Sequence, residues 1–492
     1  MRNYLVFDLG ASNGRAVVAS YDGSRFTLEV VHRFDNRPVC ATGVLYWDLL
    51  RLYSELRIGI QKAQKAYPDI TSLGVDTWGV DYGFIDGAGR LLGNPVHYRD
   101  ERRNAVADEV YSLMPRFELF RLSGAPILSI MSIFNLYAMK KDGAPELAAG
   151  KRFLMMSDLF HYLLSGEAVN EYAGASTTAG FSMIHGAWEA RILDSLGIRA
   201  ELFAPPVLPG TTIGSIRKGV CRELEVSPIP VVVPATHDTA SAEAGIPVGP
   251  GARNWAFISL GTWGVVGMET DRPVISEAVF EAGWGNEGGA EGKTFLAVNV
   301  TGLWIVQQCR EKWTKERGAE LSWDEIVKMS LAAPPLQSFI DVDDPSFAPV
   351  HPDAPALIAE YCRAHGMKPP SGVGETARCV FESLALKLRF RLEQLQRIAG
   401  TRIEVVHVVG GGTQNTALCQ WTADAGGIPM IAGPVETTVA GNLIMQLKGS
   451  GEIAGLSEGR QIVARSSELR EYQPADRDAW DAAYARYLRQ TG

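Results

Sequence analysis

The sequence has few cysteines, and they are scattered. Its 492 residues contain six, with no CxxC pair and no cluster with histidine, so neither a zinc module nor a disulfide framework is indicated. We expect reduced, mostly buried thiols of a cytoplasmic protein. Only Cys362 and Cys379 lie near enough in sequence to pair if oxidised.

Basic clusters and long apolar runs are also missing. The net charge is −9 and the pI is about 5.5, which argues against a nucleic-acid partner because such partners need a basic face. The longest apolar candidate, Trp255 to Met268, is interrupted by glycines and is shorter than the roughly 18 residues of a membrane helix. Met1 to Asp8 enters a strand pattern directly, so no signal peptide is predicted.

The length exceeds what one hydrophobic core usually serves, so two domains are predicted. The run from Trp255 to Val266 repeats the apolar residues, the Leu-Gly pair and the small turn residues of Phe7 to Val17. A glycine- and proline-rich stretch, Gly245 to Gly251, precedes the repeat and is typical of a linker. We therefore predict an N-terminal domain over 1–245 and a C-terminal domain over 246–492.

The first half reads as a mixed α/β layout. Tyr4 to Asp8 and Ala16 to Ala19 predict two strands around a tight turn, and a third follows near Phe26 to Phe34. Apolar residues at helical spacing then predict a helix from Asp48 to Tyr67, with Asp48 as its cap. Ile70 to Val75 returns to strand, an order unlike that of a doubly wound nucleotide fold.

In the second half, a long helix is predicted from about Glu375 to Ala399, with Gly400 at its C-cap. A strand from Ile403 to Val409, the turn Gly410 to Gly412 and a helix from Thr413 to Asp424 follow. Two similar α/β domains with glycine turns at their strand ends indicate a cleft in which a phosphate chain lies.

Three turns are candidates for phosphate binding: Asp8 to Gly14, Gly261 to Thr262, and Gly410 to Gly412. Each supplies small residues whose amides can approach an anion, and an ordinary tight turn is the alternative for each. Two other glycine patterns are excluded. Gly283 to Gly288 matches G-x-G-x-x-G but no helix opens after it, and Gly292 to Thr294 lacks the first glycine of a P-loop.

A candidate base follows the buried strand run from Pro228 to Val233. Asp238 stands between that strand and a helix of small residues, a rigid and open position that suits a group meeting a substrate hydroxyl. A helix N-cap is the alternative role for Asp238. A second polar strand end carries Asp76 and Trp78, with Tyr98 to Asp100 soon after. These residue types hold sugars, and strand-end packing with a surface ion pair is the alternative.

Together these segments resemble the FGGY family of carbohydrate kinases, in family order from residue 4 to about residue 447. The motifs that carry the resemblance are Asp8–Arg15, Gly74–Asp81, Tyr98–Asp100, His237–Ser241, Gly261–Trp263, Asn286–Gly292, Gly302–Trp304 and Gly410–Gly412. The resemblance implies two ribonuclease-H-like domains of the actin and sugar-kinase type, with the active site in the cleft between them. The two domains are expected to close on the substrates, because γ-phosphoryl transfer must exclude water.

The resemblance also implies roles for individual residues, with Asp238 as the catalytic base and Asp8 holding Mg²⁺ through water. The residues expected at ATP are Ala11, Ser12, Asn13, Gly14, Arg15, Thr262, Gln307 and Gly411. Those expected at the sugar are Gly79, His237, Asp238, Thr239 and Asn299, to which Asp76 and Trp78 are added. The implied partners are ATP with Mg²⁺ and a small sugar, with no nucleic acid and no membrane, in a monomer or homodimer.

Within the family the chain is most similar to the branch that converts L-rhamnulose to L-rhamnulose 1-phosphate in L-rhamnose catabolism. Asn13, Thr236 and Thr413 depart from the serine, serine and cysteine usual there, and none of these changes removes a catalytic group. L-Fuculose, another deoxyketose or a pentulose remains an alternative substrate. An actin-like or chaperone-like ATPase, or a binding protein without catalysis, is the alternative class, and the sugar-type residues with Asp238 speak against both.

Overall fold

The computed structural model describes residues 1–491 and divides them into two compact units. Unit 1 comprises Met1–Pro250, Glu269–Leu296 and Thr437–Ser467. Unit 2 comprises Gly251–Met268, Ala297–Glu436 and the residues from Glu468 onward.

Both units contain strands and helices, with five strands in succession at the start of the chain. The strands are β1 (Arg2–Leu9), β2 (Asn13–Tyr21), β3 (Phe26–Asp35), β4 (Val39–Ala41), β5 (Val44–Tyr46), β6 (Ile70–Thr77), β7 (Tyr82–Ile85), β8 (Arg152–Met155), β9 (Asn170–Glu171), β10 (Phe181–Ser182), β11 (Ala187–Trp188), β12 (Pro206–Val207), β13 (Thr211–Ser215), β14 (Pro230–Val233), β15 (Trp255–Leu260), β16 (Trp263–Thr270), β17 (Gly285–Gly288), β18 (Thr294–Thr301), β19 (Val405–Val409), β20 (Met430–Ala432) and β21 (Arg470–Tyr472).

The α-helices are α1 (Leu49–Ala66), α2 (Arg102–Ala105), α3 (Ala107–Leu113), α4 (Arg116–Ser123), α5 (Ser132–Lys141), α6 (Pro145–Ala149), α7 (Met156–Ser165), α8 (Tyr172–Ser176), α9 (Ala190–Leu196), α10 (Lys218–Leu224), α11 (Asp238–Ala244), α12 (Glu277–Glu281), α13 (Trp304–Arg317), α14 (Trp323–Ala332), α15 (Ala354–Ala364), α16 (Gly372–Ala399), α17 (Thr416–Gly426), α18 (Thr437–Gly449), α19 (Leu456–Ser466) and α20 (Arg477–Thr491). Short 3₁₀ turns add Ala200–Leu202, Ala290–Gly292, Pro345–Phe347 and Gly411–Gln414.

Unit 1 is built on a six-stranded sheet in the order β13-β14-β6-β1-β2-β3. The strands β1, β6 and β14 are parallel, and β2, β3 and β13 pair antiparallel at the two sides. The mixed sheet confirms the predicted α/β class and its difference from a doubly wound fold.

Unit 2 repeats this topology. Six neighbouring strands follow the order β18-β16-β15-β19-β20-β21. Here β15 pairs antiparallel with β16 and parallel with β19, β19 pairs parallel with β20, and β20 pairs antiparallel with β21. The strand β15 therefore corresponds to β1, so the repeat of the Leu-Gly pair in the sequence marks a real structural repeat.

The sheet of unit 1 is buried on both faces. Alternate residues of β1 point to opposite sides, and each side belongs to an apolar cluster. Leu5 and Phe7 belong to the apolar cluster that includes α1 and α7. Tyr4 and Val6 belong to a second cluster, with α18 and α19. Burial of both faces accounts for the nearly continuous apolar sequence of β1.

Of the helix ends predicted from the sequence, both ends of α1 and the C-terminal end of α16 are confirmed, whereas α16 begins at Gly372, three residues before the predicted Glu375. The Asp48 side chain caps α1 by accepting a hydrogen bond from the Arg51 N–H, and Gly400 ends α16 with a φ of 64°. The helix predicted from Thr413 begins three residues later, at Thr416. A 3₁₀ turn comes first, and Asn415 supplies the cap by accepting from the Leu418 N–H.

Five of the cysteines are buried and Cys40 is exposed. The sulfur atoms of Cys362 and Cys379 lie 4.0 Å apart. Of the helices in residues 1–491, none is long and apolar enough to span a membrane.

The helix that begins at Asp238 is packed tightly against α18. A Cβ atom at Gly441 would lie 1.7 Å from the Ser241 carbonyl oxygen, and one at Gly245 would lie 2.2 Å from the Thr437 carbonyl oxygen. The two backbones therefore meet where only glycine fits.

We expect Gly441→Ala to lower the free energy of unfolding by about 3 kcal/mol or more, because neither backbone can move without losing packing. Urea denaturation monitored by circular dichroism would measure it. Gly219→Ala in α10 is the control, since its added Cβ meets no atom within 4 Å and alanine favours a helix by up to about 1 kcal/mol. Equal midpoints for Gly441→Ala and the wild type would contradict the close approach.

Candidate active site

In unit 1, polar residues meet at the carboxyl ends of three neighbouring strand segments. Asp8 at the end of β1 pairs in parallel register with Asp76 on β6. Thr77 forms an isolated parallel bridge with His237, which follows β14. Open α/β sheets bind ligands outside the carboxyl ends of their parallel strands, so this edge is the candidate site.

The turn after β1 is held by a hydrogen bond within the turn and by another from Asn36, the residue that follows β3. The Gly10 N–H donates to the Asn13 carbonyl at 2.9 Å, and the Asn36 side chain donates to the Gly10 carbonyl at 2.9 Å. Ser12 and Asn13 are exposed, whereas Gly14 is buried. A Cβ at Gly14 would lie 2.4 Å from the Phe34 ring, so the turn lies too close to β3 for a side chain there.

Arg15 lies beside Asp8. Its Nε and Nη2 atoms donate to the same Asp8 oxygen, Oδ2, at 2.9 and 2.7 Å. This pair places a fixed cation and a fixed carboxylate next to the predicted phosphate turn.

The Asp76 side chain is completely buried. Its Oδ2 accepts a hydrogen bond of 2.6 Å from the Asn442 side chain, while its buried Oδ1 has no hydrogen-bond partner. Burial raises the pKa of Asp76 well above its usual value, and the Asp8 carboxylate raises it further. Asp76 therefore forms the inner wall of the site, joined to α18.

Trp78 and the segment around Tyr98 are linked through Asp81, a residue of the Gly74–Asp81 motif to which no role was assigned from the sequence. The buried Asp81 accepts from the indole N–H of Trp78 at 3.0 Å, from that of Trp47 at 2.6 Å and from the Tyr98 N–H at 3.1 Å. It also pairs with the buried Arg103. Burial raises the pKa of Asp81, and these donors oppose the shift.

The ion pair considered as an alternative for Tyr98 to Asp100 does not involve Arg99. Asp100 is buried and accepts from the Leu45 N–H at 2.9 Å and from the Arg102 Nε at 2.8 Å. These contacts fix the segment to β5 and α2, so Asp100 belongs to the buried structure and not to a surface ion pair.

Gly79 and Val80 follow in a constrained bend. A Cβ at Gly79 would lie 2.8 Å from a Thr177 methyl group, and Val80 has a φ of 65°, which is rare for a β-branched residue and costs about 1–3 kcal/mol. The Val80 N–H donates to Thr177 Oγ1 at 2.9 Å and its carbonyl accepts from the Ser132 hydroxyl at 2.7 Å. Such strain is concentrated at functional sites.

Asp238 is the first residue of α11, and the N-cap position belongs to His237, so the alternative role of Asp238 as the N-cap is wrong. About a third of the Asp238 side chain is exposed. Burial raises the pKa of Asp238 above its usual value, the His237 imidazolium lowers it, and the Asp8 carboxylate raises it again. Thr239 donates its hydroxyl to Asp238 at 3.2 Å.

His237 lies between two carboxylates. Its Nδ1 is 2.9 Å from Glu287 Oε2, and its Nε2 is 3.5 Å from Asp238 Oδ1. Burial lowers the pKa of His237, but the carboxylates of Glu287, Asp238 and Glu171 outweigh this effect and raise it to about 9. The ring is therefore a buried imidazolium at neutral pH.

Glu171 holds the segment that precedes His237. The buried Glu171 Oε2 accepts from the Thr236 N–H at 3.0 Å and from the Thr236 hydroxyl at 2.6 Å. Its two oxygens also cap α8 through the Ala173 and Gly174 N–H groups. The threonine that departs from the usual serine thus keeps the hydroxyl that this bond needs.

Unit 2 contains the other predicted residues. The Gln307 side chain, in the first turn of α13, donates to Thr262 Oγ1 at 3.2 Å. The turn between β15 and β16 is also tied to Leu303 and Trp304, whose N–H groups donate to the Gly261 and Thr262 carbonyls at 2.9 and 3.1 Å.

The three glycines after β19 pack against the end of β15. Gly410 has a φ of 84°, and a Cβ at Gly412 would lie 2.5 Å from the Leu260 side chain. A Cβ at Gly411 would meet no atom within 4 Å, so its backbone is open to a ligand. Thr262, Gln307 and Gly411 are thus brought around one turn, while Asn299 is exposed on β18.

Residues 1–491 contain no group of three or more histidine, cysteine, aspartate or glutamate side chains that could bind a metal ion by themselves. A cation whose first shell is mostly phosphate oxygen and water needs only one or two carboxylates. Asp8, beside the phosphate turn, and the partnerless Oδ1 of the neighbouring Asp76 fit such a cation.

The residues that sequence reasoning missed are Glu287, Glu171, Asp81 and Asn36. Glu287 lies in the Asn286–Gly292 motif, which marked the family without a role for any side chain. Asp81 lies in the Gly74–Asp81 motif, but its contacts with Trp47 and Arg103 depend on elements distant in the chain, as do the contacts of Glu171 and Asn36. No local pattern distinguishes a buried glutamate cap from an exposed one.

Two family models match the chain. The N-terminal domain of the FGGY family of carbohydrate kinases matches residues 3–245, and the C-terminal domain matches residues 256–449. Together they cover most of the sequence.

The chain is 36% identical over 487 residues to a rhamnulokinase of Bacteroides thetaiotaomicron, with 99% of both chains covered. It is 35% identical over 479 residues to a rhamnulokinase of Pectobacterium carotovorum, with 96% and 93% covered.

Among solved structures, a xylulose kinase from Rhodospirillum rubrum superimposes with a TM-score of 0.80 at 15% identity, covering 99% of this chain and 98% of that one. A glycerol kinase from Plasmodium falciparum, solved with ADP, gives 0.78 at 14% identity, covering 100% and 99%. These structural likenesses establish the fold, and the family models with the full-length relatives establish that the chain belongs to the FGGY family of carbohydrate kinases.

Proposed function

We propose that this chain transfers the γ-phosphoryl group of ATP to L-rhamnulose and forms L-rhamnulose 1-phosphate. The observation that carries the proposal is the position of Asp238, which is partly exposed in the first turn of α11 beside a charged His237. The full-length relatives named rhamnulokinase support the choice of sugar.

Asp238 acts as the general base. Phosphoryl transfer needs little covalent help from the protein beyond a residue that orients and deprotonates the attacking hydroxyl. That residue must be ionised, and the His237 imidazolium favours the ionised form of Asp238 against burial and the Asp8 charge.

The sugar is held by residues of unit 1 around this base, and the family resemblance also assigns Asn299 to the sugar. His237 donates to a sugar oxygen, and Thr239 and the backbone of Gly79 line the same pocket. Asp76 and Trp78 define its wall, because Asn442 and Asp81 already fix their polar groups.

ATP is bound through its phosphates. The turn formed by Ala11, Ser12, Asn13, Gly14 and Arg15 supplies backbone N–H groups and a cation. The family resemblance also assigns Thr262, Gln307 and Gly411 to the nucleotide. Such small-residue turns suit an anion because nothing blocks the backbone.

Asp8 would hold Mg²⁺ through water, and the ion would supply charge neutralisation for the transferring phosphoryl group.

The proposal extends to the organisation of the chain. Residues 1–245 form the sugar-binding domain with the base, and residues 246–492 carry most of the nucleotide site. The enzyme works in the cytoplasm as a monomer or homodimer.

We expect Asp238→Ala to lower kcat by about 10²- to 10⁴-fold, since a positioned base contributes that much. ADP release with Mg-ATP would be measured with L-rhamnulose, L-fuculose, L-ribulose, D-xylulose and no sugar. Asp194→Ala removes an exposed aspartate and serves as the control, with activity like the wild type.

Turnover with another ketose alone would change the assigned substrate and leave the proposed mechanism intact. Equal turnover without sugar would refute the proposed function, and an active Asp238→Ala enzyme would refute the assignment of the base.

We also expect activity to vanish when EDTA removes divalent cations and to return with Mg²⁺. Asp8→Asn should raise the Mg²⁺ concentration needed for half-maximal rate, because one charge near the cation is lost. Asp69→Asn, an exposed aspartate just before β6, should leave that concentration unchanged. An equal requirement in both variants would contradict the role of Asp8.

A further inference from the structure

Glu287 is built into the site as firmly as the residues to which the motifs assign roles. Its carboxylate lies 2.9 Å from His237 Nδ1, and the opposite ring nitrogen faces Asp238 at 3.5 Å. Only 18% of the Glu287 side chain and 14% of the His237 side chain are exposed. The three side chains therefore form a row of carboxylate, imidazole and carboxylate.

The strand that carries Glu287 cannot shift. The Asn286 side chain donates to the Gly124 and Val274 carbonyls at 2.9 and 3.0 Å and accepts from the Val274 N–H at 2.7 Å. On the other side, the Gly288 N–H donates to the Ser176 hydroxyl at 2.9 Å.

Glycines flank Asn286 and Glu287 on both sides and allow β17 to approach its neighbours closely. A Cβ at Gly285 would lie 2.3 Å from Pro126, and one at Gly288 would lie 2.8 Å from the Tyr172 ring. Because no side chain fits at Gly285 or Gly288, the backbone of β17 is held in one position, and so is the point from which the Glu287 side chain extends.

The histidine is fixed equally well from the backbone. Glu171 holds Thr236, and the Thr77 N–H donates to the Thr236 carbonyl at 2.9 Å. His237 thus has little freedom except rotation of its ring, and the ion pair with Glu287, 2.9 Å from Nδ1, restricts that rotation.

We propose that Glu287 is a positioning residue for the phosphoryl transfer: it orients His237 and keeps it protonated, so that Nε2–H points towards the sugar and the base Asp238. The role rests on the proposed function, in which Asp238 deprotonates the sugar hydroxyl. Glu287 acts through His237.

The charges around the row agree with this role. Glu287, Asp238 and Glu171 all face His237 and favour its charged form against burial, with a resulting pKa of about 9. Asp238 in turn faces His237, Asp8, Asp76 and Tyr98. Among these neighbours of Asp238, only the imidazolium favours the ionised base.

The kinetic test compares Glu287→Gln with the wild type from pH 6 to pH 9. Glutamine keeps the shape and loses the charge, so the His237 pKa should fall towards its ordinary value of about 6.5. At pH 6 the ring is protonated in both proteins, and kcat/KM for the ketose should agree within about threefold. At pH 8 the variant should lose about tenfold, while KM for ATP stays unchanged.

Two variants serve as controls. Glu281→Gln removes the same charge from an exposed position nearby and should behave like the wild type at every pH. Glu287→Asp keeps the charge on a shorter side chain and should recover much of the activity at pH 8.

A second measurement does not depend on activity. The ring of His237, one of eight histidines, would be followed by NMR in protein labelled with ¹⁵N-histidine and assigned with His237→Asn. The midpoint should lie near pH 9 in the wild type and near 6.5 in Glu287→Gln.

An unchanged midpoint in Glu287→Gln overturns the proposal, and so does a loss of kcat/KM that is equal at pH 6 and pH 8, which a merely structural role would produce. If no ketose is phosphorylated by the wild type, the proposed function fails, and the NMR midpoint separately decides whether Glu287 sets the charge of His237.

Discussion

The parallel pairing of β1 with β6, and the bridge from β6 to His237, is the constraint on which the rest of unit 1 depends. It brings Asp8, Asp76 and the start of α11 to one edge of the sheet. Three carboxylates so close together repel one another, which raises the pKa of Asp76 and of Asp238 beyond the effect of burial. The site therefore needs positive charge, and unit 1 supplies it as Arg15 and protonated His237.

A second layer of buried acidic groups holds this edge in place. Glu171 fixes Thr236, Asp81 gathers the donors of Trp47, Trp78 and Arg103, and each accepts several hydrogen bonds. Burying a carboxylate costs free energy unless its oxygens accept hydrogen bonds. Each of these buried acidic groups would therefore destabilise the fold without the donors that surround it. Hydrogen bonds with Thr177 and Ser132 hold Val80 in its left-handed conformation, next to the proposed sugar pocket.

The repeat of one sheet topology in the two units was partly visible in the sequence. The Leu-Gly pairs at Leu9 and Leu260 end equivalent strands because a strand that turns back at once needs small residues there. Helix ends at Asp48 and Gly400 were predictable for the same local reason, since a cap depends on neighbours within one turn. The start of α17 was not, because a 3₁₀ turn occupies Gly411–Gln414 and Asn415, rather than a residue near Thr413, supplies the N-cap.

The sequence alone determined the α/β class, the glycine turns, the family and the candidate base, because each is encoded in short runs of residues. Tertiary structure decided what surrounds that base. Asn442 reaches Asp76 from 366 residues away. Glu287 reaches His237 from a segment that the sequence marked only as a family motif, with no role for its side chains. Whether a histidine is charged depends on desolvation and on the distance to other charges, and neither quantity exists until the chain has folded.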